Sequence, residues 1–258
     1  MNSSAHVPEW TLVSLRPRGQ HAALRRAARP LGAQVLALSP WALVARDDDA
    51  TRAALAQALR ADRVVFSSPA AVHAAARLLP LDAPHAGRWL AVGAGTAAAL
   101  HRHGADGVLS PRRMDSEGLL DLPELAQLQG LRAALVTAPG GRGIIATTLE
   151  ARGAQLQRVD VYRRVALTLP PRQLQRLRHR PPPWVLALSS AEALDLLMAQ
   201  LPADLQARLR QAHVVAASAR LGALAAEAGF LHVSLAEGPL PLQLVHAAHA
   251  AITTATTS

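Results

Sequence analysis

The chain has 258 residues, half of them hydrophobic and 17% charged, with no cysteine and a formal charge of +9. That length allows two ordinary domains or one large one, and that composition buries a full core. Without cysteine, disulfides, thiol nucleophiles and thiolate-bound metals are excluded, which fits a reducing cytoplasm. Every basic side chain is arginine, which the codon bias of a GC-rich genome explains; the surplus of positive charge is not explained that way and points to an acidic partner. The first ten residues, MNSSAHVPEW, lack the basic start and apolar run of an export signal. No apolar stretch reaches the ~18 residues of a membrane span. The expectation is a soluble, cytoplasmic protein.

In chain order, Trp10 to Leu15 reads as a buried strand, Gln20 to Leu31 as a helix ended by Gly32, and Gln34 to Leu38 as a second strand. The segment from Ser39 to Arg46, around Pro40-Trp41, reads as extended. Asp47-Asp48-Asp49 stands just before a helix starting near Thr51 and reads as its cap, with acids at the positive helix end, not as a metal cluster. Arg63 to Ser68 is a strand entering an Ala-rich helix that ends at Leu79-Pro80. Leu90 to Gly93, a helix from Thr96 to Gly104 and a short strand over Gly107 to Leu109 come next.

Ala133 to Ala138 is again a buried strand, turning on Pro139-Gly140-Gly141 into a helix from Arg142 to Arg152 that stops at Gly153. Leu156, Val159 and Val161 alternate along the next strand, which runs into Tyr162-Arg163-Arg164 and the only tyrosine of the chain. Pro170 to Pro183 reads as a solvated helix and a stiff turn. Trp184 to Ser190, Val214 to Ala217 and His232 to Leu235 are the remaining strands, with helices ending at Leu201-Pro202 and running from Ser218 to Gly229. The tail, 253–258, is expected to be disordered.

The chain repeats itself. LVSLRP matches LVTAPGG and LGAQVLALSP matches RGAQLQRVDVY, while the strand at Arg63 and its sequel match the strand at Trp184 and its sequel. The order is therefore A-B-A-B. Strands alternating with helices imply parallel sheets covered on both faces, with right-handed crossovers. A two-strand A unit and a three-strand B unit complete one five-stranded doubly wound sheet. Whether the first A pairs with the first B, or with the second B around an inserted B-A, stays open at this point.

The glycine pattern Gly93-Ala94-Gly95-Thr96 follows a strand, but the acid of a dinucleotide site is missing after the next one. Gly140-Gly141-Arg142-Gly143 lacks the Lys-Ser/Thr of a nucleotide loop, the histidines are scattered, and no GxSxG elbow is present. Six hydroxyls remain where a strand gives way to a helix: Ser67, Ser68, Thr96, Ser189, Ser190 and Ser218. Any one of them is read as a helix cap. Together they mark the carboxyl edges of parallel strands, where open sheets bind ligands and helix N-termini suit an anion.

With Leu15-Arg16-Pro17, Val64-Val65-Phe66-Ser67-Ser68-Pro69, Gly93-Ala94-Gly95-Thr96, Ser116-Glu117-Gly118, Val161-Tyr162-Arg163-Arg164, Leu188-Ser189-Ser190-Ala191 and Ser218-Ala219-Arg220 in this order, the sequence resembles the uroporphyrinogen-III synthase family over almost its whole length. The resemblance implies two α/β domains with flavodoxin-like, doubly wound parallel sheets, joined by two extended crossover strands, the second inserted in the first: 1–40 with 168–258, and 41–167. It implies closure of hydroxymethylbilane, a polycarboxylate tetrapyrrole, to uroporphyrinogen III, with the last ring inverted and water lost, using no cofactor and no metal. It implies Tyr162 as an assisting general acid at the mouth between two lobes. Arg16, Arg142 and Arg220 are candidates for the substrate's carboxylates, beside the six hydroxyls. Around Ser218 the chain reads Ala-Ala-Ser-Ala-Arg, a departure from the Gly and paired Thr that many members carry. The expected partner is the small substrate alone, with no nucleic acid and no membrane, and the chain is expected to be a monomer. A two-lobed small-anion binder or sensor without catalysis is the competing reading.

Overall fold

A computed structural model describes residues 10–83, 86–140 and 143–257. In chain order the elements are β1 (Trp10–Ser14), α1 (Ala22–Ala28), β2 (Ala33–Ala37), β3 (Trp41–Ala45), α2 (Asp49–Ala58), β4 (Arg63–Phe66), α3 (Pro69–Leu78), β5 (Arg88–Ala91) and α4 (Ala94–Arg102). Then come α5 (Ser116–Leu120), β6 (Arg132–Thr137), α6 (Ile144–Ala151), β7 (Gln155–Asp160), β8 (Tyr162–Ala166) and α7 (Pro171–His179). The chain closes with β9 (Trp184–Leu188), α8 (Ala191–Met198), α9 (Ala203–Arg210), β10 (His213–Ala216), α10 (Ala219–Glu227), β11 (His232–Leu235) and α11 (Pro241–Thr257).

These elements form two compact units: residues up to Ala42 with those from Val165 on, and Leu43–Arg164. The first holds a sheet in the order β11-β10-β9-β1-β2, and the second a sheet in the order β5-β4-β6-β7. All the pairings within both sheets are parallel. The first A unit therefore pairs with the second B unit, around the inserted B-A. The borders between the units fall inside β3 and β8, which pair with each other.

Side-chain alternation shows why both faces of each sheet are covered. In the first unit Val13, Trp184, Leu186, Leu188, Val214 and Ala216 join one buried cluster with Leu177, Leu194, Leu205 and Leu221. Their neighbours Leu12, Val185, Ala187 and Val215 join another with Leu24 of α1 and Leu244, Val245 and Ala248 of α11. The second unit does the same: Val64, Phe66, Trp89 and Val136 face Leu55, Val72 and Leu100, whereas Val65, Leu90 and Leu135 face Leu119, Ile145 and Leu149. A strand buried on both sides reads as a continuous apolar run because successive residues serve opposite layers. Cutting any of these buried leucines to alanine costs about 2–5 kcal/mol.

Two expectations are corrected. The strand expected over Gly107 to Leu109 is a single bridge, Leu90 with Leu109, so the second sheet has four strands. Gly107 turns at φ +64° and Pro111 has no N–H for a ladder, which leaves no length for more. The tail expected to be disordered continues α11 through Thr257. Ile252 is buried in the same cluster as Val245 and Ala248, and the Thr253 and Thr254 hydroxyls donate to carbonyls of the preceding turn. Asp48 caps α2 as expected, its carboxylate accepting from the Thr51 N–H at 2.8 Å. No helix among the described residues is long and apolar enough to cross a membrane.

Candidate functional site

Each sheet has one place where the order of strands reverses: between β4 and β6 in the second unit, and between β1 and β9 in the first. Loops leaving the carboxyl ends of such strands diverge to opposite faces and open a crevice, the usual ligand site of this architecture.

In the second unit the crevice is a cavity of about 230 Å³. Ser67 and Ser68 follow β4, Thr137 ends β6, and Pro139, Gly140 and Gly143 lead into α6; Ser116, Arg158, Tyr162 and Arg164 complete the polar lining. The Ser67 hydroxyl donates to Thr137 Oγ1 at 2.7 Å, tying the two strand ends together. Ser68 Oγ accepts from the Ala71 N–H at 3.1 Å, capping α3, which leaves its own proton for a partner. It lies 3.4 Å from the Tyr162 hydroxyl, a long contact that a ligand oxygen can replace at little cost. Gly143, at φ +71°, turns the chain into α6, whose first N–H groups have no partner within the helix. Arg158 donates to the Ala138 carbonyl at 2.8 Å and pairs with Asp160 at 3.0 Å, so it braces the loop. Hydroxyls, helix amides and guanidinium groups around one apolar-walled cavity can receive an anionic, partly apolar group.

In the first unit, Arg16 follows β1 and Ser189-Ser190 follows β9, on the same sheet edge as Ser218 after β10. The registers Ser14 with Ala187 and Ala216 with Leu188 fix that placement. Ser190 and Ser218 cap α8 and α10 through the N–H groups of Ala193 and Leu221, at 3.3 and 3.4 Å. Ser189, Ser218 and Arg220 are exposed. Arg16 is not: its Nε is buried without a hydrogen-bond partner among the described residues, and burial lowers its pKa.

The structure thus brings Ser67, Ser68 and Tyr162 to one cavity. Thr96 is buried in the first turn of α4 and does not line it. Arg142 lies outside the described residues. Arg16, Ser189, Ser190, Ser218 and Arg220 belong to the other unit. Sequence reading missed Thr137, Arg158 and Ser116 as lining residues. Thr137 had a signal, since it stands in the repeat where Ser14 does; Arg158, an exposed position on an edge strand, had none. Also missed was His21, which is buried and touches both Ser14 and Ser39.

The family model described as "Uroporphyrinogen-III synthase HemD" matches residues 22–245. The uroporphyrinogen-III synthase of Salmonella typhimurium is 33% identical over 156 residues, 60% of this chain and 63% of that protein. The one from Escherichia coli K12 is 34% identical over 152 residues, 58% and 61%. The matched stretch thus spans less than two thirds of either relative. Among solved structures, the uroporphyrinogen-III synthetase of Helicobacter pylori 26695 superposes with a TM-score of 0.61 at 13% identity, covering 94% of this chain and 99% of the other. A mutant uroporphyrinogen III synthase of Thermus thermophilus superposes with a TM-score of 0.51 at 20% identity, covering 95% and 99%. At such identities these two likenesses establish the fold.

Proposed function

Because this chain belongs to the uroporphyrinogen-III synthase family, we propose that it closes hydroxymethylbilane to uroporphyrinogen III, inverting the last pyrrole ring and releasing water. The observation that carries the reading is the cavity at the strand reversal of the second unit, where the Tyr162 and Ser68 hydroxyls stand beside the amide end of α6. Its volume of about 230 Å³ is below the ~300–1,000 Å³ of pockets that enclose drug-sized ligands. It is suited to one pyrrole ring with its acidic arms, not to a whole tetrapyrrole.

Chemically, the carbinol C–O bond breaks and the hydroxyl leaves as water after gaining a proton. The carbon so freed is attacked by the substituted carbon of the last ring; that carbon's bond to its old bridge then breaks, and the bridge re-bonds at the ring's unsubstituted carbon. The proton released there balances the one taken up by the leaving hydroxyl. Tyr162 donates a hydrogen bond to the departing hydroxyl, with Ser68 as the neighbour that shares its proton. A phenol is a weak acid at neutral pH, so its part is assistance. The harder task is geometric: unassisted closure gives the uninverted isomer, and holding the last ring so that its substituted carbon attacks first is a matter of orientation. Eight carboxylates on the substrate explain the arginine surplus. We assign carboxylate contacts to Arg16, Arg142 and Arg220, and amide or hydroxyl contacts to Ser67, Ser189, Ser190 and Ser218; Thr96, buried with its N–H on the Gly93 carbonyl, takes no part. We place the protein in the cytoplasm as a monomer, which size-exclusion chromatography checks.

The test is incubation with freshly generated hydroxymethylbilane, oxidation, and chromatography of the porphyrin isomers. Type III product is the expected outcome. Type I alone, as forms without protein, overturns the reading; binding of the bilane together with type I alone identifies the non-catalytic anion binder instead.

A further inference from the structure

At the start of α1, where Ser, Thr or Asp would ordinarily cap the helix, stands His21, and its side chain makes no cap hydrogen bond. The ring turns inward, is 4% exposed, and bridges two hydroxyls: Nδ1 lies 2.9 Å from Ser14 Oγ and Nε2 lies 2.7 Å from Ser39 Oγ. The Ser39 hydroxyl in turn donates to the Arg16 carbonyl at 2.9 Å. That last bond fixes the direction of all the others. Ser39 has one proton and spends it on the carbonyl, so its oxygen must accept from His21 Nε2–H. A neutral ring protonated on Nε2 accepts at Nδ1, so Ser14 donates there.

The loop from Leu15 to Gln20 is held from a second side as well. Trp41 Nε1 donates to the Leu15 carbonyl at 2.8 Å, and the Arg18 N–H donates to the Trp41 carbonyl at 3.0 Å. Arg16 lies between these fixed points, with its Nε buried and no partner among the described residues. A buried guanidinium N–H without an acceptor is costly and awaits one.

We propose that His21 is a positioning residue: through Ser39 it fixes the backbone of Arg16 and so aims the guanidinium at a carboxylate of the substrate. This rests on the assignment of Arg16 to carboxylate binding made above. A staple that only held the fold together would affect the amount of folded protein and not the affinity of what is folded.

A double-mutant cycle in the full-length enzyme separates the two. His21→Phe keeps an aromatic ring and removes both His21 hydrogen bonds, leaving Ser39 without its support; Ser39→Ala removes the bond to His21 together with the one to the Arg16 carbonyl. Expected for His21→Phe is a KM for hydroxymethylbilane raised about tenfold, the scale of one charge-assisted hydrogen bond, with kcat within about twofold. Ser39→Ala, which removes the bond to the Arg16 carbonyl itself, gives a rise of the same kind and at least that size. On an Arg16→Ala background, which itself raises KM, His21→Phe and Ser39→Ala cause no further rise. Additive effects, an unchanged KM in His21→Phe or Ser39→Ala, or an unchanged KM in Arg16→Ala overturn the proposal. Should His21→Phe not fold, Ser39→Ala carries the cycle alone. If the wild-type protein yields no type III isomer, the functional reading has failed on its own; the same cycle is then read as Kd for uroporphyrin, an octacarboxylate porphyrin. Coupling through Arg16 supports the positioning role there, and additivity overturns it.

Discussion

Each of the two strand-reversal edges carries one copy of the repeated A unit, and they differ in the loop after its first strand. After β6 the chain runs over glycines into α6 through Gly143 at φ +71°, and the loop borders an open cavity. After β1 it enters α1 through His21, and hydrogen bonds from Ser39 and Trp41 hold the loop down around a half-buried Arg16. Even the matched hydroxyls part ways: Thr137 accepts from Ser67 across the reversal, whereas Ser14 binds an imidazole. The two units share the scaffold, where burial on both faces dictates each residue. The loops, free of that constraint, differ: one borders a cavity, and the other is tied at the Leu15 and Arg16 carbonyls.

The largest expected effect lies on the rigid edge. Burial, with Arg25 and Arg16 adding to it, lowers the His21 pKa from 6.5 to about 4. The unfolded chain therefore binds the extra proton first, and the stabilisation is complete above pH 6.5 and lost as pH falls towards 4. Urea unfolding of the wild type should lose up to about 3 kcal/mol across that window through this group. His73 and His213, also shifted down by burial, add to the same slope, but they cancel when His21→Phe is compared with wild type. Parallel pH curves for the two proteins would mean that His21 is not held neutral.

On the open edge, Tyr162→Phe should slow type III formation about tenfold or more, as the loss of an assisting acid does; a wild-type rate in quenched-flow assays would sink the assignment. Next in size, Ser68→Ala removes a cap and should cost about 1 kcal/mol, seen as a lower Tm. Ser218→Ala should cost less, because that hydroxyl is exposed and its cap bond is 3.4 Å long. Smallest, Arg158→Gln should change stability by less than about 0.5 kcal/mol, since its ion pair with Asp160 is partly solvated. It should still raise KM by loosening the Ala138 carbonyl it holds.

What the sequence by itself determined is the part governed by short-range rules. Apolar runs marked the buried strands, Gly32 and Gly153 marked helix ends with positive φ, Asp48 announced a cap, and the A-B-A-B repeat laid out two parallel sheets. Its order of motifs carried the family resemblance and, with it, the inserted arrangement. Tertiary structure alone decided the rest. Whether the short run from Gly107 makes a strand depends on a neighbour's free edge, and whether a threonine-rich tail stays helical depends on the hydrophobic seat that Ile252 finds. His21, Ser14, Ser39 and Arg16 are spread over 26 residues with no motif among them. Only the parallel pairing of β1 with β2, which puts Ser14 beside Ala37, brings their side chains together. Hydrogen bonds act over about 3 Å in space and are blind to separation along the chain, so such a cluster is legible only once the strands have been placed.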